Sequence, residues 1–194
     1  YEDPAPSAVT GYDPQGSPVP TQILESREHE LRIAFVAKTP PLSWSVYDVQ
    51  PAHGAVRDDP SLRVGQRRLE NEHYLVNIDD NGDVASIVDK DTGGREMLAA
   101  PARLVFTREK PQNWPAWNMD WYDRQKAPMD AVSGPGQARI IENGPVRVAV
   151  EIERQGRDSI FRQRIRLSRG DAGRRIEFAS DIDWQSAECA LKAS

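Results

Sequence analysis

Leu69-Glu70-Asn71-Glu72-His73-Tyr74-Leu75-Val76-Asn77-Ile78-Asp79-Asp80-Asn81-Gly82-Asp83-Val84-Ala85-Ser86-Ile87-Val88-Asp89-Lys90-Asp91-Thr92-Gly93-Gly94-Arg95-Glu96-Met97-Leu98 decides the fold class. Tyr74, Val76 and Ile78 share one parity, with Leu75, Asn77 and Asp79 on the other. That period of two is a strand signature. Asp80-Asn81-Gly82-Asp83 supplies a tight turn, because Asn and Gly tolerate the positive φ that hairpin turns demand. The return strand alternates Val84, Ser86 and Val88 against Ala85, Ile87 and Asp89. Lys90 to Gly94 then reads as a second turn.

Downstream the pattern repeats. Val146, Val148, Val150 and Ile152 alternate with Arg147, Ala149, Glu151 and Glu153. After Gln155-Gly156-Arg157-Asp158, Phe161, Gln163, Ile165 and Leu167 alternate with Arg162, Arg164 and Arg166. After Gly170-Asp171-Ala172-Gly173, Ile176, Phe178, Ile182 and Trp184 oppose Arg175, Glu177, Asp181 and Asp183. Strands at this spacing, broken by glycine turns, predict an antiparallel meander with one buried and one wet face. Arg103 to Arg108 is a further strand. With no long helical period anywhere, the pattern predicts an all-β chain, built as an antiparallel β-sandwich.

Ahead of the hairpin, Val19 to Leu24, Leu31 to Ala37 and Trp44 to Val49 read as strands. Residues 19–60 form a small β-region, with a charged connector over Gly54 to Ser61. Residues 1–18, rich in Pro, Gly, Ser and Asp, read as a linker or extended arm. Residues 61–194 carry the larger β-domain. Length 194 is enough for a real core. The net charge of -5 argues against a nucleic-acid partner. No apolar run reaches membrane-spanning length, and no basic-then-apolar segment opens the sequence. Cys189 is the single cysteine, so no internal disulfide forms.

Several clusters invite chemistry and have plainer explanations. Arg154, Arg157, Arg162, Arg164, Arg166, Arg169, Arg174 and Arg175 could hold a polyanion. Glu151, Glu153, Glu177, Asp181 and Asp183 lie on neighbouring strands, so the expectation is a charge-paired face. The acidic run from Asp79 lacks the glycine and glutamate positions of a calcium loop. His29, His53 and His73 have no zinc-ligand spacing. Many acids are present, but nothing selects the pair that glycoside hydrolysis needs.

Glu109 to Val132 reads as a long loop, and such loops are often functional. Within it stand Asn113, Trp114, Trp117, Asn118, Asp120, Trp121 and Tyr122. Aromatic rings stack on the C–H faces of sugars, and Asn or Asp side chains hydrogen-bond their hydroxyls. These seven are the candidate carbohydrate-binding residues. The alternative is that the rings pack into the core or against another domain.

Three blocks in order carry a family resemblance: the hairpin 69–98, Pro111-Gln112-Asn113-Trp114-Pro115-Ala116-Trp117-Asn118-Met119-Asp120, and Ile182-Asp183-Trp184 followed by Leu191-Lys192. Together they resemble the C-terminal β-domain of glycoside hydrolase family 38 α-mannosidases, from about Leu31 onward. The resemblance implies part of a galactose-mutarotase-like supersandwich. It implies a parent enzyme that cleaves terminal α-mannosides with retention. A divalent, zinc-like metal, the nucleophile and the acid would sit in a separate catalytic barrel, leaving no cofactor and no catalytic residue here. The catalytic domain is the expected partner, with carbohydrate as a second. The family's Trp-Asp-Ala-Trp-Asp is Trp114-Pro115-Ala116-Trp117-Asn118 here, so both acids of that segment are absent. The chain ends mid-domain in the resemblance, which leads to an expectation of self-association through an unpaired edge. The fold also hosts sugar epimerases, which need a converging His and Glu.

Overall fold

The computed structural model describes residues 6–52, 60–115 and 117–194. His53 and most of the connector read over Gly54 to Ser61 lie outside them. The chain is almost wholly β. It begins with β1 (Val9–Tyr12), β2 (Pro18–Val19), β3 (Thr21–Arg27), β4 (Glu30–Phe35) and β5 (Asp48–Pro51). The hairpin region supplies β6 (Arg63–Gly65), β7 (Arg68–Glu70), β8 (Tyr74–Ile78), β9 (Val84–Asp89) and β10 (Arg95–Glu96). Then come β11 (Leu104–Arg108), a single helical turn α1 (Trp121–Arg124) and β12 (Asp130–Ala131). The last part contains β13 (Gln137–Asn143), β14 (Arg147–Gly156), β15 (Ser159–Ser168), β16 (Glu177–Asp183) and β17 (Cys189–Ala193).

Neighbouring strands run antiparallel. β10-β9-β8-β7-β6 form one sheet and β13-β14-β15-β16 another. Leu69, Val76, Ile78, Val84 and Ile87 from the first pack against Val148, Val150, Ile152, Ile165 and Leu167 from the second. A second cluster gathers Leu104, Phe106, Val132, Phe161 and Cys189 under the β12-β11-β17 sheet.

Several sequence expectations change. The return strand β9 does not keep simple alternation. Asn77 pairs with Ser86 but Ile78 pairs with Val84, so Ala85 is a bulge. One extra residue reverses the parity beyond it, and Val84 and Ile87 both turn inward. Trp44 to Tyr47 is not strand; pairing begins only at Asp48, and Leu42, Trp44 and Val46 stand exposed. Tyr47 is nevertheless held, with its ring 5.1 Å from Phe35 and its hydroxyl bonded to the Lys38 backbone. Within residues 1–18, Val9 to Tyr12 pair with β5, so part of that proline-rich stretch is extended and hydrogen-bonded.

The meander's outer face is a ladder of ion pairs. Arg139 and Arg164 both donate to Glu151 (2.9 and 2.8 Å), Arg147 to Glu142, and Arg162 to Glu153. Glu151 is buried beneath its two arginines, and Ala149 beside it is fully covered. The face is therefore less wet than alternation alone predicts, because long arginine stems lie over the strand. Hydrogen bonding first to Arg164 and then to Arg139 holds the Glu151 carboxyl below its ordinary range, against the opposing effect of burial. A carboxyl lowered by folding stabilises the protein above its unfolded pKa of about 4.3, and that contribution is lost as pH falls through the folded value. Glu151→Gln is expected to flatten the acid limb of a urea-midpoint-against-pH profile. An unchanged slope in the variant would refute the assignment.

Arg154 leaves this basic set. It shares parity with Val148, Val150 and Ile152, and its side chain is buried. Its Nη1 donates to Asp83 Oδ1 at 2.6 Å and to the Val132 carbonyl at 3.2 Å. Arg103 approaches the same carboxylate at 3.4 Å. The turn that carries Asp83 is seated by close backbone approach. Gly82 adopts φ +86°, and a Cβ there would come within 2.7 Å of Ile152 Cγ2. Gly136 passes so close that its own Cβ would lie 2.8 Å from Gly82 Cα.

Asn71 locks the other end of the hairpin. Fully buried, it donates from Nδ2 to the carbonyls of Ser168 (2.8 Å) and Gly173 (3.0 Å). Its Oδ1 accepts from the backbone N–H of His73 and Tyr74. Lys90 reaches back to the Asn71 carbonyl and to Glu70.

Candidate functional site

The loop between β11 and β12 is built around Asp120. Its carboxylate accepts from the Gln112 N–H (3.1 Å) and from Asn118 Nδ2 (2.9 Å). Asn118 Nδ2 also donates to the Asn113 carbonyl. Trp114 takes a left-handed φ of +53°, and its carbonyl accepts from the N–H groups of Trp117 and Asn118. Asp120 has extended backbone and precedes α1, where its carbonyl accepts from Asp123 N–H. Asp123 is buried. A hydrogen bond from Lys126 holds its carboxyl below the usual range.

These bonds divide the seven candidate residues. Asn118 and Asp120 are half-buried and spend their side chains inside the loop, as does the Asn113 carbonyl. The rings turn outward: Trp114 is 63% exposed, Trp117 78%, Trp121 65% and Tyr122 78%. None of the four enters this chain's core. By contrast, Trp184 packs against Phe106 and Phe161, with ring centroids 6.0 and 6.4 Å away. The loop is a polar frame presenting an aromatic surface.

At its foot lies a cleft of about 410 Å³, lined by Glu109, Lys110, Pro111, Pro115, Glu188 and Cys189. Lys110 Nζ is 2.7 Å from Glu188 Oε1, and that bond holds the Glu188 carboxyl below its ordinary range. Glu188, like Trp114, has a left-handed φ of +53°. Sequence reasoning did not single out Glu109, Lys110, Glu188 or Cys189. Glu188 reaches the loop only because β17 pairs with β11, setting Cys189 opposite Arg108. No local pattern encodes that pairing.

Residues 69–194 match the family model described as "Glycosyl hydrolases family 38 C-terminal domain". The chain belongs to this family. A curated relative is "Alpha-mannosidase G" of Dictyostelium discoideum, 24% identical over 137 residues. That alignment covers 66% of this chain and 12% of the relative, so the chain spans about an eighth of the relative's length.

For this family 38 C-terminal domain, the described residues contain no group of three or more His, Cys, Asp or Glu placed to hold a metal ion. His73 is a structural clasp, with Nδ1 2.8 Å from Asp91 Oδ2 and Nε2 3.2 Å from the Gly170 carbonyl. Arg174 shares the Asp91 carboxylate. No helix among the described residues is long and apolar enough to cross a membrane.

Proposed function

We propose that this chain is a non-catalytic β-domain region of an α-mannosidase-type glycoside hydrolase. Its sheets belong to a galactose-mutarotase-like supersandwich. It packs on the catalytic barrel and helps shape the sugar pocket. The parent cleaves terminal α-mannosides, with the divalent metal and the catalytic carboxylates in the barrel. The observation that carries this reading is the set of four outward rings on an internally braced loop, in a chain of this family. Exposed aromatic area of this kind is what a docking surface presents.

Mixed with the separately produced catalytic domain of its parent, the chain is expected to co-sediment, and a Trp117→Ala/Trp121→Ala variant to dissociate. Independent sedimentation of the unaltered pair would reject the packing role. With zinc supplied, the chain alone is expected to release no product from an α-mannoside. Metal-dependent hydrolysis by it would overturn the non-catalytic assignment.

The same exposed rings favour a second reading, a carbohydrate-binding module in which Asn113, Trp114, Trp117, Asn118, Asp120, Trp121 and Tyr122 form the sugar-contacting loop. Trp114, Trp117, Trp121 and Tyr122 stack on sugar faces, while Asn118 and Asp120 hold them in place.

A further inference from the structure

The geometry points to the cleft beneath the aromatic loop as a binding site for a neutral hexopyranose, with Lys110 and Glu188 as its polar recognition pair. This deepens the carbohydrate-contact reading and rests on it. A cleft of about 410 Å³ falls within the range of small-molecule sites, roughly 300–1,000 Å³. Its lining has two characters. Pro111 and Pro115 offer apolar surface, and Glu109, Lys110 and Glu188 offer two carboxylates and one ammonium.

The charge balance selects the ligand class. Lys110 and Glu188 are bonded to each other and half-exposed, with side chains 55% and 62% accessible. An anion arriving at Lys110 would compete with Glu188 and face Glu109. A cation would compete with Lys110. A hydroxyl both donates and accepts. Vicinal hydroxyls can therefore accept from the ammonium and donate to the carboxylate without dismantling the pair. The apolar face of a pyranose then rests on the prolines.

The backbone supports a built site. Non-glycine residues at left-handed φ are uncommon and gather at ligand sites. Among the described residues, two of the five with positive φ are here, Glu188 in the lining and Trp114 next to Pro115.

Titration calorimetry of the chain with mannose, and with glucuronate as the charged analogue, tests the assignment. Saturable mannose binding is expected, weakened about tenfold or more in Lys110→Gln and in Glu188→Gln, with glucuronate bound more weakly. Both substitutions are at accessible side chains, and circular dichroism checks that each variant folds. If Trp117→Ala abolishes mannose binding while both cleft variants bind normally, the cleft assignment falls and the carbohydrate reading stands. If glucuronate binds as tightly as mannose, the selection by charge is wrong. If the unaltered chain binds no sugar, the cleft assignment and the carbohydrate reading fail together, leaving the scaffold role.

Discussion

Asp83→Ala is expected to destabilise the fold by about 3–5 kcal/mol, read as a lower urea midpoint by far-UV circular dichroism. Asp83 and Arg154 face each other with side chains 4% and 2% exposed. Removing the carboxylate leaves a guanidinium buried with, among the described residues, only the Val132 carbonyl as a hydrogen-bond partner, since Arg154 Nε already lacks one. The half-exposed Arg103 would lose its contact too, at little cost. The effect is therefore one of stranded charge rather than of a lost attraction. Asp83→Ala/Arg154→Met should recover most of the loss, because an apolar pair of similar volume is often as stable as a buried ion pair. A single variant within about 1 kcal/mol of the parent chain would show that water reaches Arg154.

Asn71→Ala is expected to cost about 3 kcal/mol or more by the same measurement. The amide satisfies two carbonyls and two N–H groups at once, and it is fully buried. Asn71→Asp separates the two halves of that role. It keeps the acceptor for His73 and Tyr74 but turns a carboxylate oxygen toward the Ser168 and Gly173 carbonyls. It should be at least as damaging as alanine. Gly173 can yield little space, since a Cβ there would lie 2.6 Å from Asn71 Nδ2. Asparagine therefore fills a slot that no larger side chain enters. Equal stability of Asn71→Asp and the parent chain would contradict this geometry.

The hairpin and the meander were legible because alternation and turn chemistry reinforce one another. Asn81-Gly82 marks the turn, and strands β14 and β15 each keep ten residues in register. What escaped reading depended on distant partners. The bulge at Ala85 has no compositional mark, yet it decides that Ile87 faces inward. Arg154 carried the right parity for the interior, but its partner lies 71 residues earlier. The alternation of Trp44 to Tyr47 imitates a strand whose backbone never pairs. At the candidate site, the density of tryptophans was visible at once. That Asp120 and Asn118 brace the loop, and that Glu188 completes its foot, follows only from the folded path of β11 and β17.

The outward aromatic rings also determine how this molecule can be observed. Four of the five tryptophans, Trp44, Trp114, Trp117 and Trp121, are largely solvent-exposed in the native fold, and Trp184, which packs on Phe106 and Phe161, is still 37% exposed. Native emission should therefore already resemble that of indole in water, and urea should shift it little. Intrinsic fluorescence will under-report unfolding of the core, which holds no tryptophan among its fully buried side chains. The same property makes the spectrum a selective reporter of docking. Any partner that covers the loop must dehydrate several of these indoles together and move the emission to the blue while the core stays as it was.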